Sequence, residues 1–235
     1  MNYKRNAKYF KALRLSPKGW LVLIGVTGIL FAVKPALAIL GILLLAAVVW
    51  LIYGGKPSDA EIDAQLNSFM DGLKEQALRK LGVDEEETKI ATPLFLKGYE
   101  FGESRLGDAA NMKLRDIYGK DGRWRSPECS LSAWFFTENE IHYYKKTVSL
   151  VSPSYKEYTE EFFYKDVVSV KTAEHEKPWI DPKTGLESKK FKTRWTAFML
   201  RNMGGETTEC VCYSTEEADN AAQAMRSLIR QKKNT

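Results

Sequence analysis

The sequence predicts a membrane-anchored α+β protein. An N-terminal two-helix transmembrane hairpin and an amphipathic linker helix precede an antiparallel β-barrel or sandwich, which a C-terminal helix caps. Three patterns predict this class: an apolar run from Trp20 to Tyr53, a helical apolar period after it, and a period of two from about residue 91. The corresponding segments are a basic amphipathic arm (1–16), the hairpin (17–53), a linker (54–90) that contains the helix 58–81, and the β domain (91–235).

The apolar run is interrupted only at Lys34 and Pro35, and its length requires that break. One helix through the whole run would be about 51 Å long, whereas the hydrocarbon core of a bilayer measures about 30 Å. The pattern therefore predicts two short spans, 17–33 and 36–53. A pair of buried core helices is the alternative, and it is disfavoured because the polar remainder of the chain offers no second apolar layer to cover them.

Charged and aromatic residues predict how the hairpin lies. The first nineteen residues contain six basic residues and no acid, and such a segment stays cytoplasmic. Because a hairpin returns the chain to the same side, we expect an integral protein of a bacterial inner or plasma membrane with both termini cytoplasmic. A cleaved signal peptide ending at Ala36-Leu37-Ala38 is disfavoured, because a second apolar stretch follows at once. The predicted membrane-interface residues are Lys4, Arg5, Lys8, Lys11, Arg14, Lys18, Trp20, Trp50 and Tyr53.

The basic arm also has an apolar side. Tyr3, Ala7, Phe10 and Leu13 recur at helical spacing, which is typical of a helix that lies in a layer of lipid headgroups. The alternative is that the basic residues of this arm only set the topology of the hairpin.

The linker contains an amphipathic helix. Ser58 and Glu61 form an S-x-x-E capping box, and apolar residues then recur every three or four positions until Gly82. The pattern predicts a helix over 58–81 whose apolar stripe is covered either by the downstream domain or by a second copy of the chain. A homo-oligomer formed through this helix therefore remains open.

The remainder of the chain predicts antiparallel strands and one final helix. Glu138-Asn139 and Gly204-Gly205 indicate tight hairpin turns. A second capping box, Ser214 with Glu217, starts a helix with an apolar face. The predicted strands are Leu94–Phe101, Met112–Tyr118, Cys129–Thr137, Glu140–Val148, Tyr155–Tyr164, Val167–Thr172, Arg194–Asn202 and Glu206–Tyr213.

This order of elements resembles the pleckstrin-homology (PH)-like superfamily, particularly the bacterial PH and GRAM-type domains. The similarity covers roughly residues 91–232, and its most telling pieces are LSAWFFTENEIHYY at 131–144 and EEFFYKDVVSVKT at 160–172. The resemblance implies a PH-like barrel closed by the last helix. It also implies that the basic step Lys192-Thr193-Arg194 is similar to the basic strand that such folds use against phosphoinositides.

Residues suited to catalysis or to metal binding are few. The two histidines, His142 and His175, lie in a strand pattern and in a charged segment, and no phosphate-binding or metal-binding motif accompanies them. The three cysteines, Cys129, Cys210 and Cys212, suggest small apolar side chains inside a barrel more than a zinc site. We therefore expect no enzyme activity, no cofactor and no metal.

A basic segment is the candidate binding site. The chain from Ala173 to Phe191 has the composition of a long loop, with prolines on both sides of a tryptophan. Basic side chains on a loop can clamp a phosphate, and an exposed tryptophan can anchor a partner. An ordinary solvated surface and a tryptophan that plugs the loop are the alternatives. The candidate residues are Trp179, Lys183, Lys189, Lys190, Lys192 and Arg194.

Charge excludes nucleic acid as the partner. From residue 91 onward the chain has 23 basic and 21 acidic residues, which does not form the basic footprint that DNA or RNA requires. The predicted function is a non-enzymatic, membrane-tethered PH-like interaction module at the cytoplasmic face of the bilayer, with a protein partner and, as a further option, an anionic lipid. The alternative is an accessory subunit of a transport or membrane-remodelling complex, in which the hairpin packs against other spans.

Overall fold

The computed structural model describes residues 1–11, 17–33, 35–101, 106–112, 114–180 and 186–233. These residues form a mixed α+β fold with antiparallel sheets. The helices are α1 (Tyr3–Phe10), α2 (Pro17–Val33), α3 (Pro35–Tyr53), α4 (Asp59–Ser68), α5 (Leu73–Leu81) and α6 (Thr215–Lys233). The strands are β1 (Leu94–Tyr99), β2 (Ile117–Tyr118), β3 (Trp124–Arg125), β4 (Glu128–Phe136), β5 (Glu140–Ser149), β6 (Tyr155–Phe163), β7 (Val167–Ile180), β8 (Glu187–Asn202) and β9 (Thr207–Cys212).

The long strands form two antiparallel sheets. The first has the order β1-β4-β5-β6 and the second has the order β7-β8-β9, while β2 and β3 form a separate small hairpin. β1 also packs beside β9, which brings the two sheets together. The approach is close at Gly98, where a Cβ atom would lie 2.7 Å from the carbonyl oxygen of Val211. Glycine at this position therefore permits the contact between the sheets.

Strand β4, in the middle of the first sheet, is buried on both faces. Every residue of β4 is buried, and alternate residues of a strand point to opposite faces. Trp134 and Phe136 pack with the second sheet and α6, and Trp134 stacks on Tyr143 with ring centroids 4.1 Å apart. Leu131 and Phe135 pack instead with α1, α4 and α5. The fold therefore has a helical layer, a central sheet, and a second sheet with its helix.

The linker helix packs on its own domain, as one of the two sequence alternatives predicts. Its capping box is present, because Glu61 N–H donates to Ser58 Oγ and Ser58 N–H donates to Glu61 Oε2. The single helix predicted over 58–81 is wrong, since the chain breaks into α4 and α5, and Gly72 has a left-handed φ of 72° at the break. The residues buried against the central sheet include Ile62, Leu66, Leu73, Ala77 and Leu78.

Helix α1 buries its apolar side in the same layer. Phe10 is fully buried, and the buried Asn6 side chain donates from Nδ2 to the Leu150 carbonyl oxygen (2.7 Å) and to Gln65 Oε1 (2.6 Å). Arg5 pairs with Glu61 at 2.8 Å. The apolar side that suggested a headgroup layer is therefore occupied by the protein's own core.

The transmembrane hairpin predicted over 17–53 is overturned. Both helices form, but α2 has 17 residues and α3 has 19, which correspond to about 26 Å and 29 Å against a hydrocarbon core of about 30 Å. Within the described residues, none of the helices has both the length and the apolarity required to cross a bilayer. The integral-membrane location with cytoplasmic termini, which depended on this hairpin, is wrong with it.

Two further expectations about the β domain are wrong. The predicted strand over 112–118 is reduced to β2, which pairs with a strand that the sequence pattern did not show, β3. The predicted loop over 173–191 is largely the extension of β7 and β8 into one long hairpin, with a register shift between Pro178 and Ile180. Its residues are charged on both faces, so they lack the apolar alternation by which strands are recognised. Residues 181–185 lie outside the described part of the chain.

We predict that Phe10→Ala lowers the free energy of unfolding by about 3–5 kcal/mol, because it leaves a cavity between α1 and the central sheet. Urea denaturation followed by circular dichroism measures this change. The control is Lys8→Ala on the exposed side of the same helix, which we expect to stay within about 0.5 kcal/mol of the parent protein. Equal effects of the two substitutions would contradict the docking of α1.

Candidate ligand-binding cleft

A cleft of about 680 Å³ opens at the base of the long hairpin. Four parts of the chain form its walls: the start of β8, the end of β9 with the turn before α6, the β2–β3 hairpin, and the end of β1. Its volume lies in the range of about 300–1,000 Å³ that is typical of small-ligand sites. Its aromatic residues are Tyr99, Phe101, Tyr118, Trp124, Phe191, Trp195 and Tyr213, and its charged residues are Asp63, Arg123, Lys192 and Arg194.

Asp63 on α4 fixes the floor of the cleft. Its carboxylate accepts hydrogen bonds from the hydroxyls of Tyr99 (2.6 Å) and Tyr213 (2.9 Å). It also accepts two from the guanidinium of Arg125, at 2.9 Å from Nε and 2.6 Å from NH2. This one side chain therefore links α4 to β1, to β3 and to the residue that follows β9.

Arg125 lies behind the floor with a side chain that is 1% exposed. Besides Asp63 it donates two hydrogen bonds to Asp121, at 2.9 and 2.6 Å. Asp59 lies 3.9 Å from the guanidinium and accepts a hydrogen bond from the Tyr9 hydroxyl at 2.7 Å. A buried guanidinium needs such partners, because an uncompensated charge in the interior is strongly unfavourable.

This cluster shifts the pKa values of its members. Burial acts to raise the pKa of Asp63, but hydrogen bonds from Arg125, Tyr99 and Tyr213 outweigh burial and hold the pKa below its ordinary value. Hydrogen bonds from Arg125 lower the pKa of Asp121 to about 2. Burial, together with the hydrogen bond to Asp63, raises the pKa of Tyr99 and of Tyr213. Both carboxylates are therefore charged, and both tyrosines are hydrogen-bond donors, at neutral pH.

The rim of the cleft is basic. Arg123 lies over the ring of Tyr213, 4.7 Å from its centroid. Lys192 pairs with Glu176, and Arg194 lies 3.5 Å from the same carboxylate. The Arg194 side chain is 75% exposed. One carboxylate thus serves two cations, so the rim keeps positive charge available to a ligand.

The aromatic wall is ordered by its own contacts. Trp195 lies between two rings, with centroids 5.5 Å from Phe101 and 5.3 Å from His175. Tyr118 lies against Trp124 at 5.0 Å. These surfaces can take up a planar or apolar group beside an anion held at the rim.

Of the six candidate binding residues predicted from the sequence, Lys192 and Arg194 line the cleft. Trp179 is half-buried instead: its Nε1 donates to the carbonyl oxygen of Asp116 at 3.3 Å, and its ring lies 6.3 Å from that of Phe191. This placement matches the plug alternative. Lys183 lies outside the described residues, and so do the side chains of Lys189 and Lys190, whose backbone belongs to β8.

The residues predicted for a membrane interface are spread over α1, α2 and α3. Trp20 is half-buried on α2, and Trp50 on α3 is 70% exposed. Lys4 and Lys8 are exposed on α1, and Lys11 forms an isolated bridge with Leu114. Arg14 and the side chains of Lys18 and Tyr53 lie outside the described part of the structure.

Sequence reasoning missed most of the cleft. Arg123 and Trp124 lie in a segment with the pattern of a connection, and Trp195 lies in a segment with the pattern of an ordinary strand. The signal available was the alternation of basic and aromatic residues in Arg123-Trp124-Arg125 and Arg194-Trp195. Asp63 carried no such signal, because an acidic residue on the polar side of an amphipathic helix is the ordinary case.

The thiols are structural. Cys129 packs in the helical layer, whereas Cys210 and Cys212 pack between the sheets, so the three do not converge. Cys212 borders the cleft, but burial raises its pKa to about 12. A protonated thiol is a poor nucleophile and a poor metal ligand.

We predict that stability falls between about pH 5 and pH 2, because Asp63 and Asp121 have lowered pKa values in the folded state. Their contribution is present above the ordinary carboxyl pKa near 4 and is lost as the pH falls through the folded values. Urea unfolding across this range should show a weaker pH dependence for Asp121→Asn than for the parent protein. Asp71→Asn, at an exposed position outside the cluster, should leave the dependence unchanged, and an unchanged dependence in Asp121→Asn would contradict the role of this cluster.

Comparison with known proteins adds no assignment. No family model matches the chain, and the search of curated proteins finds no match. The geometry of the cleft and the topology of the sheets are therefore the grounds on which a function is proposed.

Proposed function

We propose that the protein is a PH-like, non-enzymatic interaction module whose cleft binds an acidic peptide segment of a partner protein. The topology supports the PH-like part. A four-stranded antiparallel sheet is followed along the chain by a three-stranded one and by a helix that packs on it. The order is the one that the sequence resemblance implies.

The observation that carries the proposal is the charge and shape of the cleft. Three cations, Arg123, Lys192 and Arg194, line it against one carboxylate, Asp63, which is already held by Arg125. The available charge is therefore positive and sits at the rim, while the interior is aromatic. An acidic segment with an aromatic or aliphatic anchor satisfies both surfaces, with the anchor inside and the carboxylates at the rim.

A peptide fits this arrangement better than a phosphate headgroup does. Phosphate recognition favours several cations that converge on one anion. Here Lys192 and Arg194 share Glu176, and Arg123 lies over a tyrosine ring. A phosphate headgroup would have to compete with Glu176 for both Lys192 and Arg194. An acidic segment can instead contact Arg123 and the exposed Arg194 while this ion pair stays in place.

The described lining favours binding over catalysis. Its only thiol, Cys212, has a raised pKa, and its only carboxylate, Asp63, is fully occupied by hydrogen bonds. A nucleophile with an adjacent base, which covalent catalysis requires, is not among these residues. The alternative function as a subunit with packed transmembrane spans rested on the hairpin and gains no support from the cleft.

We predict that short random peptides selected on the full chain are rich in acidic and aromatic residues. Fluorescence anisotropy should then show that Arg194→Glu and Arg123→Glu each weaken the binding of a selected peptide about tenfold or more, equivalent to about 1.4 kcal/mol. Lys171→Glu is the matched control, because this exposed lysine lies on β7 and is not part of the cleft.

Two results would overturn the proposal. Peptide binding that is insensitive to both charge reversals would place the site elsewhere. If the selection yields no peptide that binds, but the protein binds vesicles of anionic lipid and Arg194→Glu abolishes that binding, the cleft would instead be a headgroup site.

A further inference from the structure

A second group of side chains with metal-ligating chemistry lies on the outer face of the central sheet. Glu140 and His142 are two residues apart on β5 and so share a face, and Glu161 on β6 is the direct cross-strand partner of His142. His142 Nδ1 lies 3.5 Å from Glu161 Oε1, and His142 Nε2 lies 3.8 Å from Glu140 Oε2. One ligand atom from each of the three residues lies within 4.8 Å of the others.

The imidazole is buried without adequate partners. His142 is only 8% exposed. Its Nδ1 atom is buried and makes no hydrogen bond, and its Nε2 atom has a long contact of 3.5 Å with Thr137 Oγ1. A buried polar atom in this situation is unfavourable and calls for an explanation such as an ion. This observation is independent of the carboxylates around it.

The surroundings favour a cation. The cavity above the group has a volume of about 610 Å³, and its described lining contains glutamates but neither lysine nor arginine. Two of them have lysine partners, Glu86 with Lys89 and Glu138 with Lys232. Within the described residues, Glu140 and Glu161 each form an ion pair with His142 alone. The glutamates that line the cavity are Glu86, Glu87, Glu138, Glu140 and Glu161.

We propose that His142, Glu140 and Glu161 bind one divalent transition-metal ion, with Zn²⁺ as the representative. Imidazole nitrogen and carboxylate oxygen suit Zn²⁺, Mn²⁺ and related ions, whereas Mg²⁺ and Ca²⁺ prefer sites built of oxygen alone. Ligand atoms around a tetrahedral zinc lie about 3.4 Å apart when each bond is about 2.0–2.1 Å long. His142 Nδ1 and Glu161 Oε1, 3.5 Å apart, are close to this value. Glu140 Oε2 faces the other ring nitrogen, Nε2, so the three ligand atoms that one ion would share lie within 4.8 Å of one another and not yet at this spacing. Rotation of the half-buried Glu140 and exposed Glu161 side chains can close the remainder.

The ion has a structural role, because it connects β5 to β6 beneath the segment that ends α5. Leu81, Gly82 and Val83 of that segment line the same cavity. This site shares no residue with the cleft. A test of the ion site is therefore independent of the proposed peptide binding. The sequence alone did not predict it, since Glu161 reaches His142 only through strand pairing.

Isothermal titration of the tag-free full chain with ZnCl₂ tests the proposal. We expect one site, which His142→Gln and Glu161→Gln each weaken about tenfold or more. The matched control is His175→Gln, because His175 also lies beside a glutamate, 3.6 Å from Glu209, but outside the group. Mg²⁺ should not compete with Zn²⁺. Circular dichroism and thermal unfolding of each variant verify that it folds.

Substitution by Co²⁺ gives a second readout. We expect visible bands of nitrogen and oxygen coordination without a thiolate charge-transfer band, and their loss in His142→Gln. Absence of Zn²⁺ binding to the folded parent chain would overturn the proposal. Binding that persists in the folded His142→Gln variant, or that is lost in Cys212→Ser, would overturn it as well, because the ion would then be held by other groups.

Discussion

The rest of the fold depends on the ion pairs that the buried guanidinium of Arg125 forms with Asp63 and Asp121. A side chain that is 1% exposed must keep its charge compensated, so Asp63 and Asp121 have to be in place for the chain to fold around it. Loss of one partner of a buried pair typically costs about 3–5 kcal/mol. Because Asp63 also accepts from Tyr99 and Tyr213, the helical layer, the central sheet and the end of the second sheet are held in one arrangement, and the cleft is a result of that arrangement.

The helical layer determines where a ligand can bind. It covers the outer face of the central sheet, which would otherwise be open, and β4 is consequently buried on both faces. Binding surfaces are displaced to the ends and edges of the strands, where the long hairpin and the β2–β3 hairpin meet. The cleft and the candidate ion site both lie at such positions. The packing of the helical layer on the central sheet therefore determines which surfaces remain open to a ligand.

The sequence was informative where one physical signal dominated. The β4–β5 hairpin, the turn at Gly205 and the apolar face of α6 follow from local patterns, and the structure confirms them. The long hairpin has the composition of a loop, because its residues are charged on both faces. The bounds predicted for the two apolar helices nearly match α2 and α3, but neither helix combines the length and apolarity that a bilayer span requires. The Asp63–Arg125 pair joins residues 62 positions apart, and such contacts leave no periodic signal in the chain.

The long hairpin has a consequence for the cleft that its static geometry does not express. β9 pairs with β8 only over Thr196–Arg201, so residues 187–195 pair with β7 alone and form a two-stranded ribbon. An isolated ribbon of this kind is marginally stable in water. Its polar attachments to the rest of the fold include Trp179 to Asp116 and Lys177 to Phe101. One wall of the cleft therefore belongs to a two-stranded unit, and units of this kind typically open at a lower free energy than the cores of a protein. Ligand binding to the proposed cleft and the folding of this ribbon are linked equilibria, so a bound ligand would slow amide exchange in the ribbon and leave the exchange of the amides in the two cores unchanged.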